Sequence, residues 1–279
     1  MKKEILTIFN HDRNIYKSKY IYPVVSRRSK GLSLGINLNT NNACNWQCVY
    51  CQVSNLKLGK PEAIDLKLLE SELDEWINKI VYGNFLKECA SEKVDFKDIA
   101  FSGNGEPTAA PEFESVIKIV LKKIEQFKLS KTIKLRLITN GSYLNKNSVQ
   151  SGLKLMKLFD HEIWFKIDQV IPKEALKINR INLSISNLKK NLESALSLSP
   201  TLIQTCLLKI DHQLPSDDSI IKFIEFLKPY APNLKAINLY SLARPSQQKT
   251  NLYIEALNKN ELEIIADKIK ILKTKVECY

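Results

Sequence analysis

From residue 33 onward, short apolar runs alternate with longer stretches of helical periodicity, and this alternation limits the fold more than any other feature of the chain. Residues 33–39 read as a first strand, and Leu66, Leu69, Leu73, Trp76, Ile77 and Ile80 follow at helical spacing. Residues 98–102 form a second strand, ahead of a helix with Phe113, Val116, Ile117, Val120, Ile124 and Phe127 on one face. Residues 133–138, 162–168, 202–210 and 236–240 read as further strands. Between them, a short helix is expected over 146–158 and a largely helical stretch over 173–197. A helix starting at Ser216-Asp217 turns Ile220, Ile221, Ile224 and Leu227 inward, with Pro229 just past its end. Asn258-Lys259-Asn260-Glu261 has the form of a capping box before a last helix striped by Leu262, Ile265, Ile269 and Leu272.

Six β-then-α units in sequence predict an α/β fold, because parallel strands need such crossovers. Six falls short of the eight of a closed barrel. The expected architecture is a partial (βα)6, TIM-like barrel of parallel strands with an N-terminal extension and a C-terminal helix. Residues 1–32 form that extension, with Ile15, Tyr16, Tyr20, Tyr22, Val24 and Val25 available for burial. Residues 33–245 form the core domain, and 246–279 a C-terminal helical segment. Polar stretches fall at the C-terminal ends of strands one, two, three, four and six, the edge where parallel α/β folds bind ligands.

The first strand runs into Cys44-Asn45-Trp46-Gln47-Cys48-Val49-Tyr50-Cys51. This spacing lets one short loop offer three thiolates to a single cluster, and a [4Fe–4S] cube normally takes four. One iron is left for something other than a side chain, and an open metal position is where substrate or cofactor binds. Structural zinc sites pair cysteines in two separated knuckles, whereas only one group occurs here. Cys89, Cys206 and Cys278 are scattered, and Cys206, inside an apolar strand, is the one expected nearest a site. Six cysteines so distributed do not make a secreted disulfide framework. No apolar stretch approaches the roughly 18 residues of a membrane span. The N-terminus lacks the apolar region and cleavage site of a signal peptide, so the expected location is the cytoplasm. The net charge of +12 invites a nucleic-acid reading. Only six of the 42 basic residues are arginine, however, and the lysines spread over every predicted helix, as on a solvated surface.

Cys44, Cys48 and Cys51, with Tyr50 before the last cysteine, resemble the signature of the radical S-adenosylmethionine (SAM) superfamily, and the turn Gly103-Asn104-Gly105-Glu106-Pro107-Thr108 fits it. Tyr22-Pro23-Val24-Val25-Ser26-Arg27-Arg28, Gly35-Ile36-Asn37-Leu38-Asn39 and Leu242-Ala243-Arg244-Pro245 resemble, more narrowly, an uncharacterised iron–sulfur oxidoreductase branch. That branch is related to the enzymes that build the wyosine base of tRNA. The resemblance implies a [4Fe–4S] cluster held by Cys44, Cys48 and Cys51, with SAM on the free iron. It further implies that Tyr50 meets the adenine and that Gly103, Asn104, Gly105 and Glu106 hold the methionine ammonium. Thr139, Asn140, Lys166 and Asp168 fall at strand ends where the family binds ribose and carboxylate. The implied reaction is reductive cleavage of SAM to a 5′-deoxyadenosyl radical that takes hydrogen from a substrate, fed by a flavodoxin- or ferredoxin-type electron donor. The wyosine enzymes carry further cysteines upstream for a second cluster, and residues 1–43 contain none.

RNA stands among the candidate substrates. An activating enzyme that places a radical on a partner protein, and a non-catalytic iron–sulfur electron carrier or RNA-binding protein, are the alternatives. Thr139-Asn140-Gly141 fits an ordinary turn as well as a ligand loop. Arg244-Pro245 fits a strand terminator as well as a substrate contact, and Trp46 either a cluster shield or plain packing.

Overall fold

The computed structural model describes Leu6, residues 17–89 and residues 94–279. His11, Arg13, Ile15 and Tyr16 lie outside the described residues. The chain divides into two compact units. The first comprises Met1–Ala43, Lys60–Ile138 and Lys146–Glu162, and the second Cys44–Gly59, Thr139–Asn145 and Ile163–Tyr279.

The first unit starts with β1 (Ile21–Ser26) and β2 (Gly31–Ile36), an antiparallel pair in which Val24 faces Ser33. Its crossovers are α1 (Leu66–Val81) and α2 (Phe113–Gln126), its other strands are β3 (Phe96–Phe101) and β4 (Lys134–Thr139), and α3 (Asn147–Met156) follows. β2 pairs parallel with β3, Leu34 beside Ile99, and β3 with β4, Ile99 beside Leu135. The expected extension is therefore in part a strand. Pro23 has no N–H to give a second neighbour, which suits an edge strand. The Glu72 carboxylate of α1 fixes its start by accepting from the backbone N–H groups of Lys19 and Tyr20 at 2.7 and 2.8 Å. Asp65 caps α1 by accepting from the N–H groups of Lys67 and Leu68; of the expected stripe, Leu69, Leu73, Trp76, Ile77 and Ile80 are buried and Leu66 is half-buried.

In the N-terminal halves of these strands sits a buried ion cluster. The Arg136 guanidinium donates to Asp98, to Glu162 at 3.1 Å and to the Ser29 hydroxyl at 2.8 Å, while Ser33 donates to Asp98. Arg136 thus pairs with two carboxylates that are almost wholly out of water, and Glu162 also takes the Lys134 ammonium at 3.2 Å. Burial pushes the Asp98 carboxyl above the usual range, against the pull of Arg136.

The second unit contains β5 (His161–Lys166, its first two residues counted with the first unit), α4 (Pro172–Asn179), α5 (Ile185–Leu198) and β6 (Thr201–Cys206). After β7 (Leu208–Ile210) come α6 (Asp217–Leu227), β8 (Leu234–Tyr240), β9 (Ile254–Ala256), α7 (Lys259–Ile269) and β10 (Val276–Cys278). Strands β5, β6, β8 and β10 are parallel in that order, with Phe165 beside Ile203, Ile203 beside Ile237, and Leu239 beside Cys278.

Three expectations need adjustment. The strand over 202–210 is two strands, the second pairing antiparallel with β9. The helical stretch over 173–197 breaks at Arg180, which adopts a left-handed conformation (φ 54°) and ends α4. Ile221 is 52% exposed, and α6 buries Ile220, Phe223 and Leu227 instead. Ser216 caps α6, and the Asn258–Glu261 capping box forms as expected. Parallel strands joined by helical crossovers are common to both units, as the expected fold class requires. No helix among the described residues is long and apolar enough to cross a membrane.

Candidate functional site

The sequence-predicted site residues fall into two groups. Gly103, Asn104, Gly105 and Glu106 belong to the first unit; Cys44, Cys48, Tyr50, Cys51, Thr139, Asn140, Lys166 and Asp168 belong to the second.

In the first unit, the turn after β3 lies against the asparagine-rich segment after β2. The Asn37 side-chain Oδ1 accepts from the backbone N–H groups of Asn39 at 3.1 Å and Asn104 at 2.9 Å, and the Asn104 amide donates to Asn42 Oδ1 at 2.6 Å. A Cβ on Gly105 would stand 2.2 Å from the Ala43 carbonyl oxygen, backbone that has nowhere to go. Gly105 is thus fixed by the chain's own close approach as well as by any ligand. Asn39 is fully buried; its amide donates to Ala43 at 2.9 Å, and its Oδ1 has no hydrogen-bond partner among the described residues. Glu106 is buried too, and its carboxylate accepts from the Thr108 N–H at 3.1 Å and from the Thr108 hydroxyl, capping the short turn Pro107–Ala109.

In the second unit, the cysteine loop packs into an apolar cluster. Trp46, Cys48, Val49 and Tyr50 pack with Ile178, Cys206 and Leu208, and Cys44, Cys51 and Tyr240 lie against them. Cys206 therefore joins the loop's surroundings, as its strand position suggested. The C-terminal end of α4 grips the loop: Val49 N–H donates to Ile178 O at 2.8 Å, and Gln47 N–H to Asn179 O at 3.2 Å. A helix C-terminus leaves carbonyls without intrahelical partners, and the loop supplies donors for them. From the other direction, Gln247 N–H donates to Cys51 O at 3.0 Å, the Ser246 hydroxyl to Val49 O at 2.6 Å, and the Gln248 amide to Val53 O at 2.6 Å. The turn after β4 makes a third contact. Asn140 donates to Asn45 at 2.9 Å, and the Trp46 indole to the Ser142 hydroxyl at 3.2 Å. Gly141 (φ 78°) completes this turn, its N–H donating to the Thr139 hydroxyl at 2.9 Å. Trp46 is thus both apolar packing and a hydrogen-bonded brace.

Asp168 is the polar hub. One carboxylate oxygen accepts from Tyr50 and from the Asn179 amide at 2.6 Å; the other accepts from the Lys166 ammonium at 3.1 Å and the Cys206 N–H at 2.9 Å. Lys166 also donates to the Tyr240 hydroxyl at 2.7 Å, and its ammonium lies 4.7 and 5.4 Å from the ring centroids of Tyr50 and Tyr240. Burial opposes charge on Lys166, but Asp168, with Tyr240, Cys206 and Cys48, outweighs it and holds the ammonium well above its ordinary range. Burial, then Asp168, pushes the Tyr50 phenol well up, so it stays a neutral donor. Burial pushes the Cys48 thiol up to about 11.

No disulfide joins the cysteines among the described residues. Among the described residues no three His, Cys, Asp or Glu side chains are grouped to hold a single metal ion. A cube places each thiolate on a different iron, so its ligands stand farther apart than the donors of one ion. The donor set fits such a cluster: three thiols in one loop, an apolar surround, and N–H groups directed at two sulfurs. Those are Trp46 N–H to Cys44 Sγ at 3.4 Å and the Asn179 amide to Cys48 Sγ at 3.3 Å. Asn179 has no signal in the sequence, because an asparagine at a helix end is common. Ser246 and Gln248 directly follow the Leu242–Pro245 run and were detectable only as its continuation.

No protein-family model matches the chain. It is 30% identical over 236 residues to a UPF0026 protein of Methanocaldococcus jannaschii, covering 81% of this chain and 64% of that one. It is 26% identical over 270 residues to a protein named GTPase Obg from Brachyspira hyodysenteriae, covering 94% of this chain and 35% of the relative. The chain thus spans between about a third and two thirds of the length of these relatives. Among solved structures, a radical SAM methyltransferase from Sphaerobacter thermophilus matches with a TM-score of 0.58 at 10% identity, over 92% of this chain and 68% of that one. The tagged protein anSMEcpe with bound AdoMet matches at 0.55 and 18%, over 88% and 62%. Archaeal TYW1 matches at 0.50 and 17%, over 95% and 78%. The chain has the fold of the radical SAM enzymes, in agreement with the partial barrel expected from the strand count.

Proposed function

We propose that this protein is a radical SAM enzyme, with Cys44, Cys48 and Cys51 holding a [4Fe–4S] cluster. The observation that carries the reading is the cysteine loop itself. It is clamped by α4, the turn after β4 and residues 246–248, and N–H donors point at two of its sulfurs. When bound and reduced, the cluster supplies the electron that cleaves SAM to methionine and a 5′-deoxyadenosyl group able to take hydrogen from substrate. The chain's own part is to seat and orient. Trp46, Val49 and Ile178 keep water from the thiols. Tyr50 lies under the Lys166 ammonium and meets the adenine chiefly through its backbone. Lys166 offers a fixed positive charge for a carboxylate, with Asp168 holding it in place. The Gly103–Glu106 turn offers carbonyls for the methionine ammonium, and Thr139 and Asn140 hydroxyl and amide groups for the ribose.

Anaerobic reconstitution with iron and sulfide, followed by SAM and dithionite, tests this. About four irons per chain and release of 5′-deoxyadenosine are expected, and Cys48→Ala should abolish both. Tight zinc with no uptake of iron would end the proposal; iron uptake without 5′-deoxyadenosine would leave an electron carrier. An RNA substrate is supported by the resemblance to the branch related to the wyosine enzymes and by the +12 charge. Retention of bulk tRNA that weakens steeply with salt is the expected result, and no retention at low ionic strength excludes it. The electron donor is proposed to be a low-potential flavodoxin or ferredoxin.

A further inference from the structure

Asn179 ends α4 with a buried side chain, and its amide nitrogen has three acceptors in reach. They are Asp168 at 2.6 Å, the Cys48 sulfur at 3.3 Å and the Tyr50 oxygen at 3.5 Å. An amide nitrogen carries two hydrogens. The shortest contact claims one for Asp168. The Tyr50 hydroxyl already gives its own hydrogen to Asp168 and lies at the far limit of hydrogen bonding. The second hydrogen therefore belongs to the Cys48 sulfur. The backbone of the same residue holds the loop through Gln47, and Arg180 in its left-handed conformation stops the helix there. Both the position and the rotation of the amide are thereby set.

We infer that Asn179 is a positioning residue for the cluster, donating to the Cys48 sulfur and raising the cluster's reduction potential. The inference rests on the function proposed above. Its physics is simple. Reduction adds negative charge to the cluster and its thiolates, an N–H donor stabilises that charge, and hydrogen bonds to sulfur are among the determinants of cluster potential. Asp168 keeps the amide from turning away, so the polar hub acts on the cluster through this side chain.

The test uses the full-length protein, reconstituted anaerobically, with iron counted per chain and the cluster titrated by electron paramagnetic resonance at controlled potential. Asn179→Leu keeps the side-chain size and removes both donors. At a fixed poise near the midpoint its reduced-to-oxidised ratio should fall about tenfold, equal to ~59 mV for a one-electron couple, with iron content unchanged. Asn179→Ser, too short to reach the sulfur, should move the same way and covers the case in which leucine is not tolerated. A ratio within about twofold of wild type in an iron-replete variant overturns the inference. So does loss of iron from both variants, which would make Asn179 a structural anchor only. If the wild-type protein takes up no iron, the proposed function fails first and this inference with it, and the iron count tells the two failures apart.

Discussion

Replacing Asp168 by asparagine tests whether the polar hub is held by charge or by shape. The new side chain has one oxygen where the carboxylate has two, so one pair of donors must face an NH2 group. The pair formed by Tyr50 and Asn179 tolerates this, because the phenol can turn its hydrogen away and accept, and the Asn179 amide can flip. The pair formed by Lys166 and the Cys206 N–H cannot, since neither can accept. The asparagine oxygen should therefore face Lys166, and the loss reduces mainly to the missing charge. Removing one partner of a buried ion pair costs about 3–5 kcal/mol. Lys166 is 17% exposed and keeps Tyr240 as an acceptor, so about 2–3 kcal/mol is expected here. Adding Lys166→Met removes the stranded cation, and the double variant should recover about 1–2 kcal/mol relative to the sum of the two singles. Urea unfolding followed by tryptophan fluorescence reads this in a Trp76→Phe background. Trp46 and Trp164, both in the second unit, are then the only reporters. A loss below about 1 kcal/mol for Asp168→Asn, or strict additivity in the double variant, refutes a charge-held hub.

Gly105→Ala should lose about 1–3 kcal/mol by overpacking, because its Cβ would meet backbone rather than a flexible side chain; an unchanged melting temperature contradicts that packing. Ser246→Ala removes the donor to Val49 O and should cost about 1 kcal/mol, with faster amide exchange at residues 49–51 as the local readout. Arg136→Met strands the buried Asp98 carboxylate, while Glu162 keeps the Lys134 ammonium, and should cost about 3–5 kcal/mol near neutral pH. The Asp98 carboxyl is already raised by burial, and its protonation favours the folded state. The stability it lends is present at low pH and lost as pH rises through its folded pKa, so the Arg136→Met deficit should be smaller at the more acidic of two pH values. Thermal melts of variant and wild type at the two pH values measure this, and a deficit that grows on acidification contradicts it.

The strand–helix alternation, the capping residues Ser216 and Asn258 and the cysteine triplet were legible because each is local, set by the period of side-chain burial or by neighbours a few residues apart. Where the reading slipped, the cause was not local. Asn179 is compatible with a helix end but does not single one out, and neither glycine nor proline stands beside it; the left-handed turn at Arg180 is stabilised by the loop that α4 serves. The run over 202–210 is evenly apolar, and only pairing with β9 separates β7 from β6. β10 has three residues, too few to show a period, and exists because β8 offers it an edge.

By itself, the sequence determined the fold class, the loop that carries the thiols and the strand ends where polar residues gather. Tertiary structure alone decided which groups meet there. It brought Asn179 to Cys48 across 131 positions, and Asp168 to Tyr50 across 118. It also set Ser246 against Val49 across 197. Such meetings depend on how the strands register and where each helix stops, and these are settled by burial summed over the whole unit rather than by any neighbouring residue.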